Sequence, residues 1–158
     1  MSVILRAMTQ QQFDDYLPQA VREYAQHFVD SGSLTPQAAA ERSERDYEQL
    51  LSAGLDTPGE YLYVAYDGDE EIGMLWLHTP DDPDKLAAVD AFVYDVSVHA
   101  DKRRRGYGRA IMAQGIEICR ARGARALGLN VFGHNEGAKA LYEELGFQVT
   151  TMQMKLAL

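Results

Sequence analysis

Between residues 98 and 108 the chain reads Val-His-Ala-Asp-Lys-Arg-Arg-Arg-Gly-Tyr-Gly. An apolar strand pattern gives way within these residues to a cluster of positive charge, and a helical pattern follows. Gly106 and Gly108 leave out side chains where main-chain N–H groups could come close to a ligand, and a helix opening near Tyr107 aims its partial positive end at the same place. Arg103, Arg104 and Arg105 surround it with full charges, and Arg109 lies just beyond. The chemistry suited to this arrangement is the binding of an anion, a pyrophosphate in particular. A solvated basic turn would use the same residues, but the strand before and the helix after are the context that pyrophosphate recognition needs.

A second group that could do chemistry is Asp95, which interrupts the apolar run of residues 91–98. A carboxylate inside a central strand is costly unless it is paired or faces a cavity. It therefore suits either a proton acceptor or a structural network, for which Asn130 on the adjacent strand is the expected partner. Strand alternation sets it opposite to Tyr94 and Val96. His134 and Glu71 are lesser candidates for accepting a proton, and His78 and His99 read as strand-end or surface histidines. The single cysteine, Cys119, sits in a helical pattern well after the basic loop. It excludes a disulfide framework and a cysteine-type metal site, makes a poor nucleophile, and leaves no metal expected.

These groups have to be held by a core, and the composition allows one. With 158 residues, 46% apolar and 25% charged, the chain reads as one globular domain over residues 1–158 with no low-complexity tract. No run of apolar residues is long enough for a signal peptide or a membrane span, so a soluble cytoplasmic protein without a membrane partner is expected. The charge is divided unevenly. Residues 1–98 carry nineteen acidic and five basic side chains, residues 99–158 five acidic and ten basic. The second half suits an anionic ligand, whereas a net charge of −9 argues against a nucleic-acid partner. The acidic half could draw in a cation or could serve solubility alone.

Periodicity supplies the elements. Residues 3–7 read as a first strand. Thr9 with Gln12 resembles a capping box before a helix with Phe13, Leu17, Val21, Tyr24 and Phe28 on one side, kinked or split at Pro18 and ended by Gly32. Thr35 and Pro36 open a second helix with a stripe of Ala40, Tyr47, Leu50 and Leu51. Residues 61–66 and 72–78 make a hairpin around Asp67 and Gly68. Residues 79–85 form an acidic loop, and a longer strand begins at Leu86 or Ala87 and runs to Val98. A helix carrying Ala110, Ile111, Gly115, Ile118 and Cys119 ends at Gly123; residues 126–132 form a strand, 135–144 a helix and 147–156 a last strand. The strand–helix–strand unit implies a parallel pair attached to an antiparallel front half, hence a mixed α/β sheet in the order β-α-α-β-β-β-α-β-α-β.

The second half resembles the Gcn5-related N-acetyltransferase (GNAT) superfamily. Its cofactor loop pattern, Gln/Arg-x-x-Gly-x-Gly/Ala, is matched by the run from Arg103 to Gly108, preceded by a strand with Val96 and Val98. Asn135, Ala138, Leu141 and Tyr142, followed by Leu145, Gly146 and Phe147, resemble the superfamily's later motif. Together the matches cover residues 91–147.

The resemblance implies a GNAT-like fold with a splayed central parallel pair, and acetyl-CoA as co-substrate. Its pyrophosphate would rest on the N–H groups of residues 104–109 with Arg103 and Arg104 beside it. A bulge before the loop would let the pantetheine arm lie along Val96 and Val98, with the thioester oxygen near the Val98 N–H. Asn135 would hold the arm from the other side, and Tyr142 stands where the family protonates the departing thiolate. A packed aromatic on an amphipathic helix is the alternative for Tyr142, and the surrounding motif, which fixes its register, favours the functional role. Asp95, in a strand where family acceptor sites often place an acid or a water chain, is the preferred base.

The expected activity is acetyl transfer to a primary amine of a small molecule or peptide within a ternary complex. The alternative is a non-catalytic acyl-CoA sensor. Only eleven residues follow Phe147, enough for one long strand or a very cramped version of the hairpin with which many members end. The acceptor wall would fall to the first two helices, including Asp14, Asp15, Glu44 and Glu48, and to the acidic loop. An exposed final strand would also suit pairing into a homodimer.

Overall fold

The computed structural model describes residues 1–158. At its centre is a five-stranded sheet in the spatial order β1 (Val3–Ala7), β2 (Glu60–Asp67), β3 (Glu70–His78), β4 (Ala91–Val98) and β5 (Leu127–Leu129). The first three pairings are antiparallel and the last is parallel, which makes the sheet mixed. Helices α1 (Gln10–Asp30) and α2 (Pro36–Leu50) cover one face, α4 (Tyr107–Arg122) and α5 (Glu136–Glu144) the other, and α3 (Pro83–Ala88) joins β3 to β4.

The helix ends follow their caps. Thr9 Oγ1 accepts from the Gln12 N–H at 3.2 Å while Gln12 Oε1 accepts from the Thr9 N–H at 3.0 Å, so two donors of the first turn are satisfied. Thr35 Oγ1 caps α2 through Ala38, with Pro36 at its first position. Alternation along β3 then feeds both cores. Leu75 and Leu77 pack with Ile111, Met112 and Cys119 of α4, and Met74 and Trp76 pack with Phe13 and Tyr47 of α1 and α2. A fully buried leucine of this kind contributes about 1.5–3 kcal/mol. A Cβ on Gly115 would lie 2.8 Å from Leu75 Cδ2, so its lack of a side chain is what lets α4 sit so near the sheet.

Several elements depart from the sequence reading. Pro18 neither splits α1 nor ends it; the missing donor falls on an exposed turn, where the Asp14 carbonyl is open to solvent. The buried stripe of α2 is Ala39, Ser43 and Tyr47, with Ala40 exposed, and Ser43 Oγ donates to the Val21 carbonyl at 2.6 Å to lock the two helices. The acidic loop contains α3, because Asp82 accepts from the Asp84 N–H at 2.9 Å and Pro83 presets the first turn. As a result β4 starts at Ala91 rather than at Leu86 or Ala87. β5 is shorter than expected, and residues 147–156 pair with no strand.

Candidate active site

The site begins with a fault in β4. Leu77 stands opposite Val93 and Trp76 opposite Asp95, so Tyr94 is an extra residue, a β-bulge. On its other edge β4 pairs with β5 only through Ala91, Phe92 and Val93. From Tyr94 onward that edge is free, and the parallel pair opens there. The bulge also overturns the expected opposition of Asp95 and Tyr94. The Tyr94 ring lies 4.8 Å from that of Trp76, and Tyr16 on the same side donates to Asp95, so both residues turn to the α1 face. Val96 and Val98 pack on the α4 face, as alternation requires.

Main-chain direction follows from the ladder. The His99 N–H donates to the Ile72 carbonyl at 3.0 Å. Groups two residues apart point the same way, so Val98 and Val96, paired with Gly73 and Leu75, turn their N–H and C=O groups away from β3 toward the opening. There Arg103 Nε donates to the Val98 carbonyl at 3.1 Å.

The basic loop lies at the mouth of this opening. Gly106 caps α4 with φ 86° and no side-chain bond, and Arg104 also has a left-handed backbone, φ 62°. For a residue with a Cβ this costs about 1–2 kcal/mol. The N–H groups of residues 104–109 make no hydrogen bond within the protein; the helical ladder starts with Ala110 donating to Gly106. Arg103, Arg104 and Arg105 are exposed around these donors. Two of the expected residues contribute less than their types suggest. Arg109 spends its guanidinium on Glu144 at 2.7 Å, leaving only its N–H to the loop, and the Tyr107 hydroxyl donates to Asp67 at 2.8 Å. Gly108 has an ordinary φ, and a Cβ there would meet Leu141 Cδ2 at 3.2 Å, so its role is to admit α5.

Two titratable groups flank the gap. Tyr142 on α5 is half-buried with its ring edge-on to Phe147 at 5.8 Å, and its hydroxyl has no partner in the protein. Burial raises its pKa, and the charge of Asp95 adds to the rise. The phenol stays protonated. Burial also raises the Asp95 carboxyl, opposed by the hydrogen bond from Tyr16 Oη at 2.6 Å, with Glu23 raising it and the Val96 amide and His27 lowering it. Its partner is thus Tyr16 and not Asn130. Tyr16 is itself pushed well up by burial and by the charge of Asp95. Asn135 caps α5 through Oδ1, which accepts from Ala138 N–H at 3.2 Å, so only its amide N–H groups remain to hold a ligand.

Sequence reasoning missed the contribution of α1. Tyr16, Glu23 and His27 recur at helical spacing on one face, and that recurrence was the available signal. His27 Nδ1 lies 3.1 Å from His134 Nε2, tying the end of α1 to the segment after β5. An open cavity of about 250 Å³ is lined by Glu23, Gln26, His27, Asp30 and Arg103. The acids next to the opening are therefore Glu23 and Asp30. Asp14 and Asp15 accept from Gln10 and Gln11 on the outer surface of α1, Glu44 lines a separate depression between α1 and α2, and Glu48 is exposed. Glu71 is tied to His99 at 3.3 Å, and His78 is bound to the buried Glu60 at 2.6 Å. No three His, Cys, Asp or Glu side chains gather as a metal site, and no helix is long and apolar enough to cross a membrane.

A mixed sheet whose parallel pair opens beside a loop of free main-chain donors defines an acyltransferase class of fold, and the chain belongs to the acetyltransferase (GNAT) family, whose model matches residues 17–147. It is similar to "Uncharacterized N-acetyltransferase YycN" of Bacillus subtilis (strain 168), 34% identical over 156 residues, covering 98% of this chain and 97% of that one. The YdgE protein of the same organism, also called an N-acetyltransferase, is 32% identical over 157 residues, 98% of each chain. A crystal structure of Bacillus subtilis YycN superposes with a TM-score of 0.91 at 33% identity over 99% of both chains.

Proposed function

We propose that this protein moves an acetyl group from acetyl-CoA to a primary amine of a small molecule or peptide, by direct attack in a ternary complex. One observation carries the reading: the unpaired donors of residues 104–109 follow the stretch of β4 that has parted from β5, and a free tyrosine hydroxyl and a part-buried carboxylate flank that stretch.

Acetyl-CoA supplies the activated acyl carbon and a thiolate leaving group. The loop N–H groups, with Arg103, Arg104 and Arg105, hold the pyrophosphate, and each such charge-assisted bond is about twice as strong as a neutral one. Val96 and Val98 offer main-chain groups to the pantetheine amides, and Asn135 offers its amide. An alkyl ammonium is protonated at neutral pH and must lose a proton before it attacks. Asp95, its basicity raised by burial, accepts that proton directly or through water, and Tyr16 fixes the orientation of the carboxylate. Tyr142 protonates the departing sulfur. Glu23 and Asp30 favour a cationic acceptor, and nothing here requires nucleic acid or a membrane. The cytoplasm, where acetyl-CoA is made, is the compartment this chemistry suits.

The test is thiol release from acetyl-CoA across a panel of amines. Release that depends on an amine is expected, and Tyr142→Phe should lower turnover about 10²–10⁴-fold with little change in cofactor affinity. Binding of coenzyme A without amine-dependent release would instead make the chain a sensor of acyl-CoA. An unchanged rate in Tyr142→Phe would remove the tyrosine from the mechanism.

A further inference from the structure

The basic loop is held from outside by the turn that joins β2 to β3. Three acids of that turn reach it, and each ends on a partner that is not an arginine. Glu71 lies 3.3 Å from His99 Nε2, Glu70 pairs with Lys102, and Asp67 Oδ2 accepts from the Tyr107 hydroxyl at 2.8 Å. These partners are the residue that follows β4, the short turn after it and the first residue of α4. Arg103, Arg104 and Arg105, which lie between them, make no ion pair. The turn can approach this closely because residue 73 is glycine; a Cβ there would collide with the Ser97 carbonyl.

Asp67 is the most firmly held of the three. Its Oδ1 accepts from the Ser2 N–H at 3.0 Å, so both oxygens are used, and these two donors hold the carboxyl below the usual carboxylate range. The Tyr107 ring packs against the core under α4 while its hydroxyl is fixed by Asp67. A ring anchored along its side and at its tip keeps the first turn of α4 from rotating about the helix axis. The free N–H groups of residues 104–109 belong to that turn and to the loop before it, so their direction depends on the same anchor. Charge alone would argue against an acid here, because a carboxylate beside an anion site repels the anion.

We propose that Asp67 is a positioning residue for the cofactor: through the Tyr107 hydroxyl it sets the direction in which the donors of residues 104–109 point, and this outweighs the repulsion of its own charge. With acetyl-CoA as the ligand, which is the reading proposed for this site, Asp67 acts only through Tyr107. Charge and position then predict opposite signs. An Asp67 that acted by its charge alone would hinder the ligand, and its removal would tighten binding. An Asp67 that orients the loop helps the ligand, and its removal loosens binding.

Calorimetry with coenzyme A on the full chain reads that sign. Asp67→Ala and Tyr107→Phe should each weaken binding about tenfold, the weight of one hydrogen bond to a charged group. Tyr107→Phe keeps the packed ring, so the fold is retained. The double variant should bind no more weakly than either single one, because both remove the same bond. Asp67→Asn loses the same charge as Asp67→Ala but keeps an oxygen for the hydroxyl, and should recover part of the loss. Asp69→Asn removes a charge from an exposed residue of the same turn and should not weaken binding. In turnover, the KM for acetyl-CoA should rise in Asp67→Ala while kcat at saturation moves much less; a merely weakened fold would lower kcat through the active fraction and leave KM alone. Unaltered or tighter binding in Asp67→Ala would overturn the proposal, as would additive losses in the double variant. No heat from the unsubstituted protein would remove acetyl-CoA as the ligand and the proposal with it, whereas equal affinity in every variant would remove the proposal alone.

Discussion

Asp95 is a carboxylate that the fold holds at an energetic loss. Burial raises its pKa, Glu23 raises it further, and the Tyr16 hydroxyl only partly compensates. The sign of the stability effect follows. Below the unfolded carboxyl value, about 3.9, the group is protonated in both states and nothing is lost. As pH rises through that value toward the higher folded one, ionisation is penalised in the folded state, and the loss persists at neutral pH. Asp95→Asn keeps an oxygen to accept from Tyr16 and removes the charge. It should therefore raise the thermal midpoint at neutral pH and not in strong acid, while acetyl transfer falls about 10²–10⁴-fold. A lower midpoint at neutral pH would mean that the ionised carboxylate is a structural asset. At this scale the sequence was informative in one direction only. A charge inside an apolar strand announces Asp95, but its partner is 79 residues away and nothing local selects Tyr16 over Asn130.

The loop and the start of α4 form an element whose shape precedes its ligand. Gly106 stands at φ 86°, a conformation that glycine adopts freely and other residues do not. Gly106→Ala should cost about 1–2 kcal/mol in denaturant unfolding and weaken coenzyme A binding by calorimetry, because the donors of residues 104–109 would lose their common direction. Gly108→Ala, where the added Cβ meets a leucine methyl at 3.2 Å and the backbone is unstrained, should disturb the α4–α5 contact and leave the loop's shape intact. Equal loss of affinity in the two variants would show that crowding, not backbone conformation, is what matters. Such local devices are readable from a sequence, as the caps at Thr9 and Thr35 and the loop itself were. Strand ends were not. Whether residues 86–90 continue β4 depends on Asp82 and Pro83 having already made a helix, and whether residues 147–156 form a strand depends on an edge elsewhere to pair with.

Across the whole molecule, β3 is the shared member of both cores, and Trp76 is where the α1–α2 core meets a buried polar group. The indole is 1% exposed and donates to Glu60 Oε2 at 2.6 Å, while the other oxygen of Glu60 lies 2.6 Å from His78 Nδ1. The hydrogen bond and charge of Glu60 raise the His78 pKa against the opposing effect of burial, and Asp81 adds to the rise. A histidine with a raised folded value gives stability that is fully present below its unfolded value, about 6.5, and is lost as pH rises through the folded one. The thermal midpoint should accordingly fall as pH rises from about 6.5 through the higher folded value, and His78→Gln should flatten that fall by removing the titrating group. Trp76 is the single tryptophan of the chain, so its fluorescence follows the transition from within the core that β3 shares with α1 and α2. Far-ultraviolet circular dichroism should give the same midpoint if the cores unfold together. An undiminished fall in His78→Gln would assign the pH dependence to another group. Separate midpoints for the two signals would show that the cores on either side of β3 come apart independently.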